Sequence, residues 1–152
     1  MADLDIVRVQ QQPLDATAEI ERLSQADKAM GAVVSFIGTM RDINDGAAVE
    51  SMTLEHYPGM TEKALMNIVS EARQRWQLGQ VSVVHRVGPL LPGDNIVLVA
   101  VSSSHRGEAF DACEFIIDYL KTRAPFWKKE ITADGERWVD ERTSDEHAAD
   151  QW

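Results

Sequence analysis

The run IVLVAVSSS, residues 96–104, constrains the fold more than any other stretch. Its first six residues are apolar without a polar alternate. A strand with one wet face alternates, whereas a continuous apolar run belongs to a strand covered on both faces at the centre of a sheet. The chain must therefore supply layers for both sides of it. After Ser104 the period changes, and Ala109, Phe110, Cys113, Ile116, Ile117 and Leu120 recur at helical spacing. Pro125 disfavours helical geometry at Ala124, so this helix ends there.

The other segments read more simply. DIVRVQ, GAVVSFIGTMRD, VESMTLEHY and QVSVVHRVG have strand character. The Asn44–Gly46 and Asp134–Gly135 pairs mark hairpin turns, the second joining the short strands of EITADGERWVD. Residues 15–29 suit an exposed helix with Asp15 as its cap, and Thr61 caps a second helix along Leu65, Ile68, Val69, Ala72 and Trp76. Residues 89–95, PLLPGDN, form a turn. Hairpins interleaved with single helices predict an α+β fold, mainly antiparallel, with three principal helices. At 152 residues this is a single domain over 1–152, with 140–152 a loosely ordered, acidic tail.

Composition excludes several classes of function. A net charge of −10 argues against general nucleic-acid binding, which relies on many cationic contacts to phosphate. No apolar run approaches the ~20 residues of a membrane span, and no signal-peptide core is present, so the expected location is the cytoplasm. The single cysteine, Cys113, forms neither an internal disulfide nor a cysteine zinc cluster, and its place on the apolar face of a helix is that of a structural thiol. The histidines show no metal-ligand spacing, so no metal is expected.

Against that acidic background one stretch stands out. Of the nine residues from Lys121 to Lys129, four are cationic: Lys121, Arg123, Lys128 and Lys129. Lys121 in a last helical turn is favoured by the helix dipole alone, but that does not account for cations beyond the proline. Cations held close by packed Phe126 and Trp127 repel one another, which lowers a lysine pKa and is relieved by a bound anion. Two other places fit the same chemistry. His105 and Arg106 stand where a buried strand gives way to a helix N-terminus, an anion site by simple physics. Arg41 follows Gly38, where a missing side chain lets a ligand approach the backbone. Taken alone, each arginine would as readily pair with a surface acid.

Together, GAVVSFIGTMRD, LEHYPGMTEKAL, HRVG, PGD, the Ser-x-His-Arg junction, DYLKTRAPFWKKE and GERWV resemble the large, catalytic subunit of molybdopterin synthase over nearly the whole chain. The resemblance implies a sulfurtransferase that converts cyclic pyranopterin monophosphate to molybdopterin. Sulfur would come from the C-terminal Gly-Gly thiocarboxylate of a small ubiquitin-like partner. It further implies a dimer of large subunits within a heterotetramer, and no cofactor. By the same resemblance Lys121 and Lys128 line the pocket for the partner's tail, one of them acting in proton transfer. His105, Arg106 and Arg41 hold the phosphate and pterin, and His105 and Arg106 come from the neighbouring subunit. Thr39, Met40, Lys129 and Glu130 flank these positions, and Arg142 supplies a further pocket arginine. The competing expectation is a non-catalytic module that binds a ubiquitin-like tail or a phosphorylated metabolite.

Overall fold

A computed structural model describes residues 5–44, 46–139 and 143–152. The central strand is β7 (Asn95–Ser103), and it is buried along its length as the apolar run requires. Its neighbours are β5 (Val81–Arg86) and β2 (Ala32–Thr39), both antiparallel to it, with β1 (Ile6–Gln10) parallel to β5 at the edge. The sheet order is β1-β5-β7-β2. The two faces of β7 enter different clusters. Leu98 and Ala100 pack with Leu23 of α1 (Ala16–Ala26). Val97, Val99 and Val101 join the main core with α2 (Met60–Arg75) and α3 (Arg106–Arg123). QVSVVHRVG reads as alternating, yet β5 is buried on both faces too, because Val81 and Val83 join the main core on one face while Ser82 on the other donates to Glu19 of α1.

A second sheet has the order β3-β4-β8-β9, made of β3 (Ile43–Asn44), β4 (Ala47–His56), β8 (Phe126–Thr132) and β9 (Gly135–Val139). A short strand β6 (Gly88–Leu90) pairs β4 within the segment expected to be turn. Asp45, in the first expected turn, lies outside the described residues, but Asn44 pairs Ala47 as a hairpin there requires. Gly135 opens the second hairpin with φ at 114°, a value that favours glycine.

Helix caps follow local chemistry. Asp15 accepts from the Ala18 N–H, as expected. Thr61 is not the cap of α2, because Gly59 holds that position. The Thr61 hydroxyl instead donates to the Pro125 carbonyl and accepts from the Tyr57 N–H, tying α2 to the start of β8. The chain end, expected to be a loosely ordered tail, carries helix α4 (Thr143–Asp150). Trp152 meets Trp76 and Phe115 edge-on, and its Nε1 donates to Asp118. No described helix is long and apolar enough to cross a membrane.

Candidate anion-binding cavity

The last turn of α3 and the first residues of β8 bring the two key lysines together. α3 stops at Arg123, and Phe126 already begins β8, so Ala124 and Pro125 make the whole turn between them. Lys121 before the turn and Lys128 after it line one cavity of about 290 Å³, as do Ala124 and Phe126 from the turn itself. The cavity draws its walls from both sheets. β2 and the loop after it supply Gly38, Thr39, Met40 and Arg41. Asn44, Leu54, Ile96 and Glu130 also line it. Gly38 is required by packing there, since a Cβ would lie 2.9 Å from Val97 Cγ1. Met40 is buried, and its backbone is clasped by the 93–94 turn, with Asp94 O accepting from Met40 N and Met40 O accepting from Gly93 N.

β8 separates the two adjacent lysines. Alternate residues of a strand face opposite ways, so Phe126, Lys128 and Glu130 face the cavity while Trp127 and Lys129 face outward. Lys129 lies 3.7 Å from Glu136 and 5.7 Å from the centre of the Trp138 ring. Arg123 also turns away, pairing Glu71 at 3.2 Å and stacking over Tyr119. The four cations clustered in sequence therefore do not share one face. Helix and strand periodicity direct Lys121 and Lys128 inward and the other two outward.

His105 and Arg106 are exposed and do not line the cavity. They begin α3, and Lys121 is near its end, so at about 1.5 Å per residue roughly 22 Å of straight helix separates them. One chain cannot fold both ends of one helix into a single pocket. Arg142 lies outside the described residues.

Three residues in or behind the cavity wall escaped the sequence reading. His85 is buried and its ring stacks on Phe126, with centroids 3.8 Å apart and planes at 16°. Its Nδ1 lies 2.7 Å from the Arg86 carbonyl. A carbonyl only accepts, so Nδ1 carries the hydrogen and Nε2 keeps a lone pair. Burial drives its pKa down to about 3, against the opposing effect of the carbonyl bond, and the charges of Lys121, Lys128 and His56 push the same way as burial. The imidazole is neutral near pH 7. The other two are Asn44 and Arg137, which hold Glu130. Asn44 Nδ2 donates to its Oε2 at 2.8 Å and Arg137 Nε to its Oε1 at 3.0 Å. His85 could be suspected from its place beside the valines Val81, Val83 and Val84 of β5. Nothing local marks the other two, since their partner is distant in sequence.

Cys113 is buried, with Sγ 3.7 Å from the Val99 carbonyl. Burial, with the Glu114 charge adding to it, raises its thiol to about 12, so it is not a nucleophile. Among the described residues no group of three His, Cys, Asp or Glu could hold a metal ion. The cavity can bind an anion beside two ammonium groups and a neutral imidazole.

Known proteins share this architecture. The family described as "MoaE protein" matches residues 9–123. A molybdopterin synthase catalytic subunit from Ralstonia nicotianae is 64% identical over 146 residues, covering 96% of this chain and 83% of that protein. The protein of the same name from Escherichia coli is 57% identical over the full length of both. Among solved structures, a molybdopterin biosynthesis MoaE protein from Burkholderia ambifaria superposes with a TM-score of 0.84 at 53% identity, over 97% of each chain.

Proposed function

The chain belongs to the MoaE protein family, and from that premise we propose that it builds molybdopterin by transferring sulfur to cyclic pyranopterin monophosphate. The sulfur arrives as the C-terminal thiocarboxylate of a small ubiquitin-like partner, whose Gly-Gly tail enters the cavity. The observation that carries this reading is the convergence of Lys121 and Lys128 on one cavity with Arg41 at its wall. Both substrates are anions, a cyclic phosphate and a thiocarboxylate, and both need cations held in place before they meet. The lysines orient them, and one lysine moves the proton. No cysteine of this chain takes part, which suits the inert Cys113.

The phosphate end of the site is completed by a second copy. His105 and Arg106 are exposed at the far end of α3, and in a dimer of large subunits they reach the partner's cavity. Two small subunits then make a heterotetramer. The reaction runs in the cytoplasm, a reducing compartment suited to thiocarboxylate chemistry.

The reading is tested by reconstitution. The chain is mixed with thiocarboxylated small subunit and cyclic pyranopterin monophosphate, and the dithiolene-bearing pterin is measured. Product is expected. A stable complex that binds both substrates and forms no product would make the chain a binding module instead.

A further inference from the structure

A carboxylate buried in the wall of an anion site is out of place unless its charge is answered. Glu130 is such a group. Its side chain is 6% exposed, lines the cavity, and shares the inward face of β8 with Lys128 two residues earlier. Their α-carbons are therefore about 7 Å apart, within reach of a long ammonium stem. Both carboxylate oxygens are already engaged. Oε1 accepts from Arg137 Nε at 3.0 Å and lies 2.9 Å from Arg137 Nη2, and Oε2 accepts from Asn44 Nδ2 at 2.8 Å. Arg137 Nη2 also donates to the Asn44 carbonyl at 3.0 Å, which closes the set into a triad across β3, β8 and β9.

Resting on the anion-pocket reading above, we infer that Arg137 and Asn44 are positioning residues of this site. By holding both oxygens of Glu130 they keep its charge from repelling the bound phosphate and from competing with it for the Lys128 ammonium. Glu130 thus acts as a strut of the pocket wall and does not touch substrate. Arg137 needs no contact with substrate either, because its effect travels through the carboxylate.

The test uses rescue within the assembled two-subunit complex. Arg137→Ala is expected to raise both KM for the pterin phosphate and Kd for inorganic phosphate roughly tenfold, with a smaller change in kcat. Glu130→Gln in the same chain removes the stranded charge and is expected to restore both values to within about threefold of wild type. Asn44→Ala, alone and with Glu130→Gln, asks the same of the other oxygen should the arginine variant fail to fold. If Glu130→Gln rescues neither variant, the two residues only brace the sheet and the inference is overturned. The phosphate titration separates this from the reaction itself. A wild-type complex without turnover but with the rescue pattern intact would sink the sulfur-transfer reading and leave the triad standing.

Discussion

His85 sits where a charged imidazole would be worst placed, sealed from water and facing Lys121, Lys128 and His56. Its pKa falls to about 3 in the folded chain against an ordinary 6.5. Between these values the unfolded chain binds a proton that the folded chain refuses. Stability is therefore full above about pH 6.5 and drains as pH drops toward 3, by an amount on the order of a few kcal/mol for this group. His85→Phe keeps a ring to stack on Phe126 and removes the titration. Urea unfolding across that range should show a shallower acid loss than wild type, and an unchanged slope would mean the histidine takes up its proton without opening the fold. Composition marks the cluster of four cations as anomalous, but the choice of Lys121 and Lys128 among them rests on the resemblance, since spacing in the sequence does not say which of the four face inward. His85 was read only as a failed metal ligand, since its burial depends on β1, β7 and Phe126 closing over it.

At the level of elements, the site depends on where α3 stops and β8 begins. Pro125 marks that boundary in the sequence, and the structure agrees to within a residue. The consequence was less visible, because a strand starting at Phe126 sends Lys128 and Lys129 to opposite faces. The division into two sheets and the short β6 were not legible, since both arise from pairing between distant segments. Thr61 is one such distant brace, fully buried and bridging Tyr57 and Pro125. Thr61→Val keeps the shape and strands both backbone partners. It should cost about 1–3 kcal/mol in chemical denaturation, and it should weaken phosphate binding by loosening the start of β8. A loss of stability with unchanged phosphate affinity would show that the brace holds α2 alone.

On the scale of the whole molecule, the straight length of α3 sets the argument for a shared site. The resemblance implies that His105 and Arg106 serve a neighbouring subunit's cavity, and the helix that holds them far from Lys121 of the same chain fits that arrangement. If two copies share each site, subunits carrying Lys121→Ala and subunits carrying Arg106→Ala should complement when unfolded and refolded together. Random pairing gives half mixed dimers, each with one intact site, so roughly a quarter of wild-type turnover should return. No recovery would place each site within one chain. The most direct measurement of the account is single-turnover sulfur transfer by Lys121→Ala, assembled with thiocarboxylated small subunit and checked for intact complex on a sizing column. The account predicts an assembled complex whose rate of dithiolene formation falls by about a hundredfold or more. Full turnover in that complex would contradict it, and would leave the cavity a place where anions bind without being transformed.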